Sequence, residues 1–177
     1  MPFRNPIPTI KKDLIEMELQ KRKANRIQGF DYGQCGAYFV TLFTHNRARL
    51  FIMDQTSSCQ WASNRIIHKW VAETQNKYQN AHFDKYVIMP DHIHFLISFT
   101  EEALGASLAD VMRFFKTMTT NEYIREVKKG NLPPFQQKLW QKSYYDHVIR
   151  NEQDYLETWE YIDNNPTKWM VVHAQTP

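Results

Sequence analysis

The chain has 177 residues, which is enough for one domain with its own hydrophobic core. Hydrophobic residues make up 42% and charged residues 23% of the chain, as in ordinary globular proteins, so a low-complexity polypeptide is excluded. With only 5 glycines, the sequence argues against a glycine-rich phosphate loop. A net charge of +3 permits a polyanion as partner but does not require one. Any contact with a polyanion must come from local clusters of basic residues.

The N-terminal segment and the cysteines bear on domain organisation and cellular compartment, and they do not indicate a reaction. Residues 1–28 are polar and charged, and we expect an N-terminal extension with a short helix at residues 11–23. Residues 29–177 are then a single domain. Cys35 and Cys59 have neither zinc-site nor disulfide-framework spacing, which favours the reducing cytoplasm. No apolar run is long enough to cross a membrane.

The first regular elements are predicted from residue 37 onward. Residues 37–44 form a strand with apolar side chains on both faces, which is typical of a central position in a sheet. Residues 45–49 are predicted to turn, and residues 50–53 to form a short return strand. A helix begins at Ser57 or Ser58 and ends near residue 79.

The second half of the chain supplies a hairpin, two helices and a further strand. The strands at residues 85–89 and 92–99 are separated by a proline–aspartate turn. A helix at residues 107–125 begins with a capping box. A short strand at residues 145–149 precedes a last helix at residues 152–164, which ends ahead of the next proline. This order predicts an α+β fold, an antiparallel sheet with helices packed on it.

Two histidines share one face of the strand at residues 92–99. Residues two apart on a strand point the same way, so His92 and His94 lie side by side, while the opposite face is apolar. Two neutral imidazoles in this arrangement are a natural pair of metal ligands. Two hydrogen-bonded histidines with no further role have the same spacing, and the pattern alone leaves both interpretations open.

The last predicted helix carries a tyrosine outside its expected buried stripe. Tyr155, Trp159 and Ile162 have the spacing of a core-facing stripe. Tyr161 falls about 120° from the centre of that stripe. The polar face holds Asp154, Thr158, Tyr161 and Asn165. A phenol has a pKa of about 10 and attacks a phosphodiester only when a nearby cation or base activates it. A surface tyrosine without function is the alternative.

Basic and aromatic side chains suited to DNA cluster in the second half of the chain. Cations bind backbone phosphates, and rings stack on unpaired bases. The predicted DNA contacts are Arg113, Lys116, Lys142, Tyr144, Tyr145, His147 and Arg150. The alternatives are a solvated helix face for Arg113 and Lys116 and a structural role for His147.

Three segments together resemble a known family. Residues 87–97 (VIMPDHIHFLI) resemble the strand motif of the HUH single-strand nucleases, including its two histidines. Residues 139–166 resemble the C-terminal signature of the REP-associated tyrosine transposases. Residues 26–47 resemble that family's first-strand region, so the resemblance spans residues 26–169.

The resemblance implies a fold, an activity and a site. The fold is the ferredoxin-like sandwich of the HUH nucleases. The activity is metal-dependent cleavage and rejoining of single-stranded or hairpin DNA, by a monomer or a homodimer, through a 5′-phosphotyrosine intermediate. Tyr161 is implied as the nucleophile, and His92, His94 and Asn165 as ligands of Mg²⁺ or Mn²⁺. Asp91 departs from the family, which frequently has asparagine there.

Two functions of other classes are compatible with the same residues. A nucleic-acid-binding module without catalysis would bind DNA in a salt-sensitive manner and leave it uncut. A hydrolase that uses metal-bound water would cut DNA or RNA without trapping it on the protein.

Overall fold

The computed structural model describes residues 36–51, 58–100 and 105–173. The predicted N-terminal extension with its helix, Cys35 and the side chain of Cys59 lie outside the described part. Apart from the return strand predicted at residues 50–53, the order of elements is the predicted one. The strands are β1 (Gly36–Phe43), β2 (Ala81–Met89), β3 (His92–Phe99) and β4 (Tyr145–Ile149), and the helices are α1 (Ser58–Lys77), α2 (Leu108–Lys128) and α3 (Glu152–His173).

The four strands form one antiparallel sheet in the order β2-β3-β1-β4. The predicted central position of β1 is confirmed. Since β1 and β2 both run antiparallel to β3 between them, α1 connects the two strands of a split β-α-β unit. The chain therefore has the ferredoxin-like α+β fold that the resemblance implied. β2 begins at Ala81, earlier than predicted, and has an irregularity between Phe83 and Lys85.

The hydrophobic core lies between one face of the sheet and helices α1 and α2. Phe95 of β3 is fully buried, and its ring contacts those of Phe83 and Phe115. Burial of one such side chain stabilises the fold by about 1.5–3 kcal/mol. The predicted capping box of α2 is present, because Ser107 and Asp110 each accept a hydrogen bond from the backbone N–H of the other.

The predicted return strand at residues 50–53 is wrong in its described part. No strand covers Leu50 or Phe51, and residues 52 and 53 lie outside the described residues. Phe51 is buried, and its ring stacks on that of Trp140 at 5.4 Å. Packing of this ring into the core and a single backbone hydrogen bond, from Phe51 N–H to the Pro90 carbonyl at 3.1 Å, hold the residue without a strand.

Helix α3 continues through Pro166 to His173, so its predicted end at residue 164 is wrong. A proline inside a helix removes one backbone hydrogen bond and costs about 3 kcal/mol. The turns beyond it gain tertiary contacts in return. The ring of Trp169 lies 5.7 Å from that of His92, and the Arg49 guanidinium lies 5.9 Å from the Trp169 ring. None of the helices described here is long and apolar enough to cross a bilayer.

Candidate functional site

Two imidazoles lie at the start of β3, on the sheet face opposite the core. His92 and His94 are 6% and 5% exposed. Their Nε2 atoms are 3.1 Å apart, so both nitrogens point toward one place. The prediction that these side chains share a face is confirmed.

The second nitrogen of each imidazole has its own partner. His92 Nδ1 lies 2.6 Å from Asp91 Oδ1, and His94 Nδ1 lies 2.9 Å from Thr41 Oγ1. Thr41 is the β1 residue directly opposite His94 in the strand register. Since both Nδ1 atoms are engaged, each ring is fixed in orientation with Nε2 facing its neighbour. Metal-binding histidines are commonly held in this way.

The electrostatic surroundings keep Asp91 charged and His94 neutral. Arg47 Nε–H donates to Asp91 Oδ2 at 2.8 Å. Burial raises the pKa of Asp91, but the hydrogen bond and charge of His92 and the charge of Arg47 outweigh it and hold that pKa below its usual range. Burial, followed by the charges of His92 and Arg47, holds the pKa of His94 well below its usual range. A neutral imidazole is the form that binds a metal.

Helix α3 lies across this face of the sheet and brings Tyr161 to the imidazoles. The centroid of the Tyr161 ring is 5.4 Å from that of His94 and 5.6 Å from that of Phe39 in β1. All three side chains belong to one chain. The tyrosine and the histidines therefore meet without a second copy of the protein.

The assignment of the faces of α3 from sequence is confirmed for the buried Ile162 and wrong for other residues. Thr158 and Asn165, expected on a polar face, are each 8% exposed and are buried together with Ile162. Tyr155 and Trp159, expected in the core, are only partly buried. The reason is that the sheet surface beneath the helix is partly polar, since it includes imidazoles and a lysine side chain. Tyr161 thus points toward the sheet rather than toward solvent.

Asn165 stands between two residues that contact the imidazoles. It follows Tyr161 by one turn and precedes Trp169 by one turn, and the rings of these two residues contact His94 and His92. Residues four apart lie on the same side of a helix. The buried Asn165 therefore lies on the same side of the helix as these two residues.

The donor set at this point fits a small divalent cation. Two ligands at right angles with bonds of about 2.1 Å lie about 3 Å apart, which matches the 3.1 Å between the Nε2 atoms. Imidazole nitrogens with an amide oxygen suit Mn²⁺, and the oxygen suits Mg²⁺. The described residues contain no group of three or more His, Cys, Asp or Glu side chains that could hold a metal. Asn165 as a third protein ligand stays a prediction from the resemblance.

The predicted DNA contacts fall on both sides of the sheet. Tyr145 and His147 of β4 pair with Thr41 and Phe39, which places them on the imidazole face. Tyr145 is 54% exposed, and its ring lies 5.7 Å from that of Phe43. His147 Nε2 lies 2.9 Å from Asp154 Oδ2. Of the remaining residues on this part of the chain, Lys142 and Arg150 are exposed and Tyr144 is partly buried.

The two basic residues of α2 lie on the other side of the sheet. The exposed Arg113 forms an ion pair with Asp110 at 2.6 Å. The Lys116 ammonium donates to the backbone carbonyls of Gln141 and Lys142 at 2.7 and 2.8 Å. Burial, together with the charge of Lys138, lowers the pKa of Lys116. The Lys116 ammonium thus holds the backbone of the segment that ends at Lys142.

Three residues around the imidazoles were not found from sequence. Thr41 had a signal, since it is a polar residue in a strand that is otherwise apolar on both faces. Trp169 lay beyond the predicted end of the last helix. Arg47 itself has a positive φ angle in the turn after β1, and nothing in the local sequence connects it to Asp91.

Comparison with known proteins gives a consistent family. The family model described as transposase IS200-like matches residues 37–165. An uncharacterized protein of Haemophilus influenzae is 29% identical over 167 residues, covering 85% of this chain and 91% of that protein. A second protein of that species, named a REP-associated tyrosine transposase, is 25% identical over 141 residues, covering 78% and 74%.

One solved structure supports the fold. It is a REP-associated tyrosine transposase bound to a REP hairpin, with a TM-score of 0.54 and 18% identity. The match covers 85% of this chain and 74% of that one. At this level of identity the likeness concerns the arrangement of strands and helices.

Proposed function

Because this chain belongs to the IS200-like transposase family, we propose that it is a DNA transposase and endonuclease that cleaves and rejoins single-stranded DNA through Tyr161. The observation that carries this proposal is the 5.4 Å separation between the rings of Tyr161 and His94. It puts a phenol beside two converging imidazoles, inside one subunit. A tyrosine packed only for stability would not require such neighbours.

The chemistry follows from the groups gathered here. When bound at His92, His94 and Asn165, Mg²⁺ or Mn²⁺ would polarise the scissile phosphate. The Tyr161 oxygen forms a bond to phosphorus as its proton leaves to solvent. The bond from phosphorus to the 3′ oxygen breaks, and that oxygen takes a proton to become a hydroxyl. The 5′ phosphate stays on Tyr161, and a later 3′ hydroxyl can reverse the step.

Hairpin DNA with a single-stranded flank is the proposed substrate, in keeping with the hairpin bound by the structural neighbour. Tyr145 offers an exposed ring next to Phe43, and the Phe43 ring lies 5.3 Å from that of His92. An unpaired base stacked on Tyr145 would lie close to the imidazoles. The flanking Lys142, Tyr144, His147 and Arg150 would contact the same strand.

A basic groove of about 420 Å³ lies between α2 and the protein segment that ends at Lys142. Lys116, Lys138 and Lys142 line it, and its described lining residues include no carboxylate. Gln141, which lines the groove, donates its N–H to the Phe43 carbonyl at 3.0 Å, so the groove lies next to the end of β1. With Arg113 one turn before Lys116, we propose that it receives backbone phosphates of the hairpin stem.

Reversing Lys138 and Lys142 to glutamate tests the groove. The double variant should bind a hairpin oligonucleotide more weakly, and the slope of log affinity against log salt should fall in magnitude by about 2, because two phosphate contacts are lost. Fluorescence anisotropy at several salt concentrations measures this. Lys77→Glu with Lys128→Glu is the control of equal charge change, and an identical loss there would refute a specific groove.

The activity itself is tested with hairpin oligonucleotides that carry random single-stranded flanks and a label at the 3′ end. With Mn²⁺ or Mg²⁺ we expect the label to migrate with the protein on a denaturing gel, and with EDTA to remain free. Salt-sensitive binding without cleavage would instead favour a binding module. Cleavage without labelled protein would favour hydrolysis by water.

A further inference from the structure

Helix α3 is held on the sheet by polar contacts at both of its flanks. Toward β4, the Asp154 carboxylate contacts His147. Toward β2, Lys85 Nζ lies 2.6 Å from Asp163 Oδ1 and 4.0 Å from the centroid of the Trp159 ring. The Lys85 side chain is mostly buried although β2 is an edge strand. These contacts restrain rotation of the helix about its own axis.

Lys85 contacts α3 on the side of the helix away from Tyr161. At about 100° per residue, Trp159 and Asp163 lie about 40° apart around the axis, and Tyr161 lies about 160° from each. Asp154 is about 20° from Tyr161 on the opposite flank. Lys85 and the His147 contact therefore fix the helix from opposite sides.

Lys85 belongs to the same framework as the imidazoles. In the pairing of β2 with β3, Lys85 is opposite Leu96, and Val87, two residues on, is opposite His94. A short stretch of paired backbone thus joins the lysine to the histidine.

We propose that Lys85 is a positioning residue for the nucleophile: by holding Trp159 and Asp163 it sets the rotation of α3 and the direction in which Tyr161 faces His94. This inference rests on the proposed function. A rotation of about 20° moves a side-chain tip about 6 Å from the axis by about 2 Å. A misplacement of about 1 Å can lower a rate by about 10²-fold. The partly exposed ion pair itself contributes little to stability.

The test compares Lys85→Met, which keeps the apolar stem, with Lys85→Arg, which keeps the cation. Lys85→Met should slow adduct formation at saturating hairpin oligonucleotide by about 10–100-fold, with oligonucleotide affinity changed by less than about 3-fold. Lys85→Arg should restore the rate. Lys69→Met is the matched control, since Lys69 also forms an ion pair, with Glu122, on the other side of the sheet. Equal rates in Lys85→Met and Lys69→Met would overturn the inference.

A second measurement does not depend on activity. Nuclear Overhauser contacts between the Tyr161 and His94 rings should be present in the parent chain, weakened in Lys85→Met and retained in Lys85→Arg. If the parent chain forms no adduct but the contact still weakens in Lys85→Met, the proposed function fails while the positioning of Tyr161 by Lys85 stands. A contact unchanged in Lys85→Met overturns the positioning role whatever the activity.

Discussion

We expect replacement of Tyr161 by phenylalanine to slow formation of the covalent adduct with a 3′-labelled hairpin oligonucleotide by at least about 10³-fold. The substitution removes only the hydroxyl, so the ring keeps its contacts with Phe39 and His94. The loss should therefore be one of chemistry and not of folding. Denaturing gels measure the adduct, and anisotropy should show an unchanged affinity for the oligonucleotide.

Tyr145→Phe is the matched control for this result. Tyr145 is the exposed tyrosine of β4, and its ring contacts Phe43, a neighbour of His92. Tyr145 is thus the alternative nucleophile that most resembles Tyr161. Its phenylalanine variant should form the adduct at nearly the parent rate. Mass spectrometry of the labelled peptide separates the two. An adduct mapped to Tyr145, or one that persists in Tyr161→Phe, contradicts the proposed role of Tyr161.

The order of elements and the face of the histidines could be predicted because both depend on local signals. Turn residues separate β2 from β3, and the alternation of a strand requires His92 and His94 to share a side. The capping box of α2 was likewise visible in four consecutive residues. Each of these predictions uses neighbours in sequence, so no tertiary contact was needed to make it.

The orientation of α3 could not be predicted, because helical periodicity assumes an apolar surface beneath the helix. Here the surface includes imidazoles and Lys85, so Thr158 and Asn165 are buried while Trp159 lies at the flank against the lysine. The partners of the imidazoles are also long-range. Thr41 meets His94 only through strand pairing across 53 positions.

The carboxylate at position 91 has a structural explanation that sequence could not supply. Asp91 accepts hydrogen bonds from Arg47 Nε and from His92 Nδ1 on its two oxygens. The asparagine that the resemblance led us to expect offers only one accepting oxygen. An acidic residue here is therefore matched to Arg47, which itself depends on a left-handed turn after β1.

His94→Gln should weaken Mn²⁺ binding by more than about 100-fold, since it removes an inferred ligand rather than a residue that merely orients one. The adduct should be lost in parallel, while hairpin binding changes by less than about 3-fold because the proposed phosphate contacts lie elsewhere. Electron paramagnetic resonance titration of free Mn²⁺ gives the affinity. His82→Gln, an exposed histidine of β2, is the control and should bind Mn²⁺ as the parent chain does.

The buried position of His94 means that glutamine there could disturb packing against Phe39, so Thr41→Val provides a milder change at the same place. Valine nearly matches threonine in shape but cannot bond to His94 Nδ1. Loss of such an orienting partner typically lowers metal affinity by about 10–100-fold. An affinity graded from parent through Thr41→Val to His94→Gln is the expected result. Parent-like Mn²⁺ binding in both folded variants would mean that these imidazoles hold no metal and are paired for structure alone.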